Sequence, residues 1–407
     1  MAEDMILPLL GYNGDDDEED DTTDSDEGID NDISDDSEEH SSGSRDQRVQ
    51  YDTTLPSQHN YLGDNLNELS GRVVLDETST VSLPLLTIDK VVLVPSQVLP
   101  LQLHHPTIVS MMRRLIDGQR TVGVVASFEP TLGTTAEIRS YSGDDDDVEG
   151  LPVFRVKAEG RQRFRVMETW RQDGVVMGKV KILPEYELTN PLRERTHTMD
   201  RRSIAMCSRW PQWVYGMYDP NLLMDKIKLY LKNWSFNDYT SPAPLKPCEF
   251  SYWVASNLPM DDSQRCQLLT INSSIQRLRF ELSLLQKYSY LCCSECKAKI
   301  CEKEDVIVMS VNGPQGTYVN PHGAVHEMTT VSKTTNIVLI GRTSTDFSWF
   351  PGYAWTICQC KRCKSHMGWK FSSVDKKLRP EWFWGLCRSS LEPGLKIDDE
   401  ISWKPVL

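Results

Sequence analysis

The chain has 407 residues, 39% hydrophobic and 25% charged, which is enough apolar material for two or three domains at about 150 residues each. Its formal charge of −15 is unevenly placed: residues 1–50 carry 19 acidic and 2 basic side chains, and the rest carries 40 acidic and 42 basic. A folded part so close to neutral excludes the strongly basic domain of a dedicated nucleic-acid binder, and no run of 18 apolar residues offers a membrane-spanning helix.

The opening Met1-Ala2-Glu3-Asp4-Met5 is acidic where a secretory signal starts basic, so a reducing compartment is expected. Residues 15–39 hold 16 acidic side chains and little to bury. Such a segment repels itself, and residues 1–50 are therefore expected to be a disordered tail. Order is expected to begin near Tyr51. Between Val81 and Leu103, short β-branched runs broken by proline suit strands of a small sheet. Pro106 to Ile116 reads as a helix, with Ile108, Met111, Met112 and Leu115 on one face and Gly118 as its stop. Strands follow at Thr121–Ser127, Thr134–Tyr141, Val153–Ala158 and Gln162–Glu168, with Asp144–Asp147 in an exposed loop.

After Pro184 the text turns rich in Arg, Tyr and Trp, with helical spacing at Leu223, Ile227, Tyr230 and Trp234. A second helix is expected over about 261–287. Its apolar stripe runs Leu268, Ile271, Ile275, Leu278, Leu282 and Leu285, and Met260-Asp261-Asp262 supplies the N-cap and a negative first turn. The last 120 residues are dense in Cys, Trp, Gly and Pro and suit a separate, metal-stabilised β domain. The whole reads as an α+β multidomain chain.

Seven of the eleven cysteines lie between Cys292 and Cys363. Cys293-Ser-Glu-Cys296 and Cys360-Lys-Arg-Cys363 have the spacing of two knuckles whose thiolates converge on one tetrahedral, structural Zn²⁺. Cys292 and Cys358 fit a knuckle less well. Around the second knuckle, Trp355 lies five residues before Cys360 and Trp369 six after Cys363, so the two indoles are expected to face each other across a strand pair. Phe371 shares the face of Trp369, and Trp349 precedes them in a loop. These rings suit either a small aromatic box for a flat neutral or cationic group or an ordinary aromatic core. His326-Glu327-Met-Thr-Thr330 lacks the second histidine of a zinc protease, and phosphate loops and nucleophile elbows are absent. His104, His105, His322 and His326 read as turn or surface residues.

Taken together, these landmarks resemble the cereblon family over about residues 51–395. Residues 51–288 are similar to the Lon-protease N-terminal substrate-binding domain, through Val94-Pro95, Leu99-Pro100-Leu101, Gly133-Thr134-Thr135-Ala136-Glu137-Ile138, Gly160-Arg161-Gln162-Arg163-Phe164 and Ile182-Leu183-Pro184-Glu185. Residues 289–395 are similar to the family's thalidomide-binding (CULT) domain, an all-β tent. The carrying residues there are Asn320-Pro321-His322-Gly323, Gly341-Arg342, Ser348-Trp349-Phe350-Pro351-Gly352-Tyr353-Ala354-Trp355 and Gly368-Trp369-Lys370-Phe371, with both CxxC pairs. Residues 396–407 are left as a tail.

The resemblance implies a non-catalytic substrate receptor of a cullin-RING E3 ubiquitin ligase, in the cytoplasm and nucleus, with substrate proteins as partners. It implies that a helical insertion at about 186–247 docks on a β-propeller adaptor. It assigns Trp349, Trp355, Trp369 and Phe371 to a cage for glutarimide and other cyclic imides, with Phe347, Ser348, Asn320 and Pro321 beside it. It gives Cys293, Cys296, Cys360 and Cys363 to zinc. One position departs from the family: Phe347 stands where a histidine usually precedes the Ser-Trp pair. Ile357, two residues past Trp355, would lie at the rim.

Rival readings are weaker. A methionine sulfoxide reductase would need a reactive thiol, for which Cys387 is the candidate, and its flanks do not match. A Lon-like chaperone or peptide-binding module has neither an ATPase loop nor a protease segment beside it. Lys361, Arg362 and Lys364 are too few to sustain a nucleic-acid-binding ribbon.

Overall fold

The computed structural model describes residues 49–63, 65–143, 153–187, 206, 211–232 and 243–395. Most of the expected tails, the Asp144–Asp147 loop, Trp234 and much of the 186–247 insertion lie outside the described residues. Val49 and Gln50, inside the expected tail, already form a strand, β1 (Val49–Gln50). The short helix α1 (Leu55–Gln58) follows it.

Seven strands build the first sheet: β2 (Asn67–Glu68), β3 (Thr80–Ile88), β4 (Val98–Leu103), β5 (Thr121–Ala126), β6 (Glu129–Ser142), β7 (Phe154–Gln172) and β8 (Val175–Ile182). Their order is β2-β6-β5-β3-β8-β7-β4, and an added β6–β7 pairing closes five of them into a ring. Leu83, Leu85, Val125, Phe164, Val180 and Ile182 form one apolar cluster of this sheet. Helix α2 (Pro106–Ile116) lays Ile108, Met111 and Met112 into a second cluster, with Leu101, Val122 and Val156. The two strands expected over 153–168 are one. β7 pairs with β4 through Glu159 and with β8 from Phe164 onward, changing partner around Gly160. A Cβ on Gly160 would stand 2.4 Å from the Val94 carbonyl oxygen, so this crossing of backbones needs glycine.

The helical part contains α3 (Gln212–Gly216), α4 (Pro220–Lys232), α5 (Pro247–Asn257), α6 (Asp262–Thr270) and α7 (Ser274–Lys287). Asp261 caps α6 in a full capping box with Gln264. The single helix expected over 261–287 is broken, however, at Ile271–Ser273. The cause is tertiary. Arg163, fully buried, donates to the carbonyls of Leu269 at 2.7 Å and Ile271 at 3.0 Å, and Arg277 donates to Ile271 at 2.8 Å. Those carbonyls therefore serve two buried guanidiniums, both of which also pair with Glu185, at 2.7 and 2.8 Å. Leu268, Ile275, Leu278 and Leu285 still reach the core, whereas Ile271 leaves the stripe. No helix among the described residues is long and apolar enough to cross a membrane.

The chain enters the C-terminal part directly, since β9 (Tyr288–Cys293) follows α7 without a linker. Then come β10 (Lys299–Glu302), β11 (Gln315–Val319), β12 (Val325–Val331), β13 (Ile337–Ser344), β14 (Tyr353–Cys360), β15 (His366–Ser373), β16 (Leu378–Arg379), β17 (Trp382–Cys387) and β18 (Leu391–Leu395). Six of them form a sheet in the order β11-β12-β17-β15-β14-β13, and β10-β9-β18 form a smaller one. β1 pairs in parallel with β16, and Tyr51 meets Tyr353 edge-on at 5.2 Å, so the N-terminal segment is strapped across this domain. One apolar cluster runs from Leu223 and Ile227 through Phe250 and Leu278 to Leu291 and Cys293, so the helices and the small sheet share a core.

One residue in that helical core is anomalous. Glu281 is fully buried, and neither carboxylate oxygen has a hydrogen-bond partner. Burial pushes its carboxyl well above the usual carboxylate range, with only Arg277 opposing. A raised folded-state pKa means that stability falls as pH climbs above the ordinary value of 4.5. Glu281→Met is expected to stabilise the protein by about 1–3 kcal/mol at pH 7. The gain should shrink as the denaturation is repeated toward pH 4.5; a destabilised variant at pH 7 would contradict this reading.

Candidate functional site

The four cysteines chosen by spacing are brought together. The sulfurs of Cys293, Cys296, Cys360 and Cys363 all lie within 4.8 Å of one another, with Cys293–Cys363 and Cys296–Cys360 both at 3.6 Å. Four thiolates around one tetrahedral ion at ~2.3 Å would stand ~3.8 Å apart, so the cluster fits a metal of that kind. Local backbone geometry builds each knuckle in the same way. The amide of Lys297 donates to the Cys293 carbonyl and that of Lys364 to the Cys360 carbonyl, both at 2.9 Å. Both lysines, one place after each second cysteine, adopt positive φ, 59° and 64°. The Ser365 hydroxyl and backbone lower the Cys363 thiol, whereas burial and the other three cysteines push its neighbour Cys296 up. Cys292 and Cys358 stand outside the cluster: Cys292 donates to the Glu392 carbonyl, and burial pushes Cys358 up to about 12.

The second knuckle is the turn of the β14–β15 hairpin, and the aromatic residues sit on its two strands. Trp355 pairs with Phe371 and Ile357 with Trp369. The expected face-to-face pairing of Trp355 with Trp369 is therefore wrong by two residues: the hairpin closes between Cys360 and Ser365, past the second cysteine, and a one-residue register shift between Cys358 and Gln359 adds to the offset. The two indoles are diagonal neighbours instead, a separation of ~7–8 Å along the backbone. Trp349 meets Trp369 edge-on at 4.9 Å and anchors its indole N–H on the Val319 carbonyl at 3.0 Å. Phe371 is only 1% exposed and packs on Phe350 and Phe383, so it is floor and core at once.

The loop before Trp349 is held in an unusual shape. Phe347 has φ of 51°, rare for a bulky residue, and its side chain is 66% exposed. The indole N–H of Trp355 donates to the Asp346 carbonyl at 2.8 Å, and the Asp346 amide donates to Ser344 Oγ at 3.0 Å. The Ser348 hydroxyl donates to the Phe350 carbonyl. Among the described residues, the Phe347 carbonyl and the Trp349 amide find no hydrogen-bond partner. An acceptor and a donor, two positions apart, are left free in the loop that carries Trp349.

Two placements were not anticipated. His326, read as a turn or surface residue, is half-buried on β12 against Trp349 at 5.6 Å and Trp369 at 5.1 Å. Burial lowers its pKa to about 4, so its imidazole is neutral at physiological pH. The only sequence signal was its position in a strand leading from the Asn320–Gly323 turn. That turn points to the other domain: the Pro321 carbonyl accepts from Gln102 at 3.0 Å and lies 3.1 Å from His104 Nε2. Asn320 Oδ1 accepts from the Ala324 amide at 2.7 Å and fixes the turn. Beside His326, Glu327 points to the opposite face and is buried in a charge cluster with Arg265 and Arg388. Cys387, the thiol a reductase would need, is buried beside Cys358 with its pKa pushed up to about 12, the opposite of an activated nucleophile.

Comparison with known proteins matches both halves. Residues 82–287 match the ATP-dependent protease La (LON) substrate-binding domain, and residues 289–395 match the family described as Yippee zinc-binding/DNA-binding/Mis18, centromere assembly. Over 389 residues the chain is 43% identical to protein cereblon of Danio rerio, covering 86% of this chain and 90% of that protein. Identity to protein cereblon of Gallus gallus is 42% over 390 residues, covering 87% of each. The Drosophila melanogaster protein of the same name is 27% identical, over 85% of this chain and 63% of its own length. With identity of this extent running through both domains, the chain belongs to the cereblon family.

Proposed function

We propose that this chain is a non-catalytic substrate receptor of a cullin-RING ubiquitin ligase that captures cyclic imides, free or at protein termini, in its aromatic box. One observation carries the reading: the Phe347 carbonyl and the Trp349 amide, two positions apart in the loop that delivers Trp349, have no hydrogen-bond partner. An imide presents an N–H flanked by carbonyls, so the Phe347 carbonyl accepts from its N–H while the Trp349 amide donates to one of its oxygens. The indoles of Trp349, Trp355 and Trp369 cover the apolar edge and faces of the ring. The neutral His326 closes the side between Trp349 and Trp369 without placing a charge against a neutral ligand.

The four thiolates hold one structural Zn²⁺ in this reading, since all four positions are filled by protein and none is left open for catalysis. Docking on a β-propeller adaptor is supported by exposed apolar side chains on α3 and α4, among them Trp213 at 69% exposure and Leu229 at 63%. A receptor of this kind works in the cytoplasm and nucleus on substrate proteins.

Two outcomes follow from these assignments. Metal analysis of the full chain should give one zinc per molecule, and removal by a strong chelator should abolish the near-ultraviolet circular dichroism of the C-terminal tryptophans. Retention of that signal without metal would contradict a structural zinc. Calorimetric titration of glutarimide into the zinc-loaded chain should give saturable binding that Trp355→Ala removes. Phe347→His should tighten it three- to tenfold, about 0.5–1.5 kcal/mol for one added neutral hydrogen bond. A folded, zinc-loaded chain that binds no glutarimide would leave the aromatic residues as core and overturn the proposal.

A further inference from the structure

The four-cysteine cluster is uneven in a way that a purely structural ion does not require. Cys293 and Cys360 are buried and Cys296 is half-buried, whereas Cys363 is exposed, on a turn in which residues 361–364 are all exposed. Its sulfur lies 3.6 Å from that of the buried Cys293. The Ser365 hydroxyl stands 3.0 Å from the first sulfur and 3.5 Å from the second. The two cysteines belong to different sheets. Cys293 ends β9 in the three-stranded sheet, and Cys363 lies in the turn between β14 and β15 of the six-stranded one.

Reactivity of a cysteine toward an oxidant follows its thiolate character and its exposure, and a metal ligand is held as a thiolate. The remaining described cysteines lack one or both properties. Cys292, Cys301, Cys358 and Cys387 are buried. Cys248 and Cys266 are half-buried, and burial pushes their thiols up to about 12, so both stay protonated at neutral pH. Among the described residues, Cys363 is therefore the cysteine that combines exposure with the negative charge of a metal ligand.

We propose that Cys363 is a site of oxidation by hydroperoxides, resolved by Cys293 and coupled to release of the zinc; the inference rests on the four-thiolate zinc reading. Cys363 Sγ attacks the terminal oxygen of the hydroperoxide. An S–O bond forms, the O–O bond breaks, and the departing oxygen takes a proton from solvent. The Cys293 thiolate, 3.6 Å away, then attacks the sulfenic sulfur. An S–S bond forms, the S–O bond breaks, and the hydroxide that leaves takes a second solvent proton. Two thiolates have then given two electrons to the peroxide. Cys296 and Cys360 alone do not complete a tetrahedral site, so the chain releases its zinc. The tie at the β14–β15 turn goes with it, and Trp355 and Trp369 sit on the strands that leave this turn.

The test uses the full chain, isolated with reductant, assayed for zinc, and freed of reductant before hydrogen peroxide is added. One zinc should reach a chromogenic chelator for each chain oxidised, and dimedone should trap a sulfenic acid on Cys363. Peptide mapping without dimedone should find Cys363 joined to Cys293, and the near-ultraviolet circular dichroism should fall in step with zinc release. Dithiothreitol with added zinc should restore that signal. A Cys248→Ser/Cys266→Ser double variant should release zinc at the unmodified rate, within twofold. A chain isolated without zinc would overturn the zinc reading and this proposal with it. A zinc-loaded chain that keeps its ion in peroxide, or loses it with Cys363 still recovered as a thiol, would overturn this proposal alone. A release rate at least fivefold lower in the double variant would do the same, because oxidation would then begin at another thiol. Zinc release and mapping are read on the unmodified chain and decide the matter even where the variant does not fold.

Discussion

The buried carboxylate of Glu327 is the constraint on which the arrangement of the two domains depends. It accepts from Arg265 on α6 at 2.7 Å, from Arg388 after β17 at 2.8 Å, and from Gln97 before β4 at 2.7 Å. Arg388 reaches on to Asp262 and to the carbonyls of Met260 and Lys90. Burial alone would push the Glu327 carboxyl up, but Arg265 and Arg388 and then the Gln97 amide outweigh it and hold the pKa below the ordinary range. Its contribution to stability is therefore present above the unfolded-state pKa and is lost as pH falls through the depressed folded value. An unpaired charge at this depth would be far costlier than the paired one, so the docking of three elements is specified by one residue.

The same strand carries that constraint to the aromatic cluster around Trp349 and Trp369. Side chains alternate along β12, so Glu327 faces the interdomain cluster while His326 faces Trp349 and Trp369. The other end of the box is fixed by the cysteine knuckles. Cys360 and Cys363 close the β14–β15 hairpin, and the strands leaving that turn present Trp355, Ile357, Trp369 and Phe371. The positive-φ Phe347 is tied in through Asp346, whose carbonyl the Trp355 indole holds. A backbone conformation of this kind costs ~1–3 kcal/mol, and its surroundings must supply the difference. Here they include one of the box's own walls.

What the sequence revealed divides along physical lines. The four cysteines were legible because a knuckle is local, its geometry set by two residues between ligands. The helix over Pro106–Ile116 and its stop were legible for the same reason. The single helix over 261–287 was misread because periodicity does not register Arg163, over a hundred residues away, drawing on the carbonyls of Leu269 and Ile271. The indole register was off by two residues because neither the closure of the hairpin at Cys360–Ser365 nor the one-residue bulge at Cys358–Gln359 has a sequence signature. His326 and Glu327 were passed over because they were weighed only against a protease motif; the partners that matter lie on Trp349, Arg265 and Arg388. The box itself was ambiguous by spacing, and family resemblance rather than periodicity supplied its members.

The most direct test of this account is a double-mutant cycle between Glu327 and Arg388, read by chemical denaturation of the zinc-loaded full chain at pH 7. The account predicts that Glu327→Gln and Arg388→Met each destabilise the chain by about 3–5 kcal/mol, as expected when one member of a buried ion cluster is removed. The double variant should then fall short of the sum by about 1–3 kcal/mol, because each single change already removes the direct Glu327–Arg388 interaction. Effects that add to within about 0.5 kcal/mol would mean that the two groups are energetically independent. The docking of the domains would then have to rest on something other than this buried carboxylate.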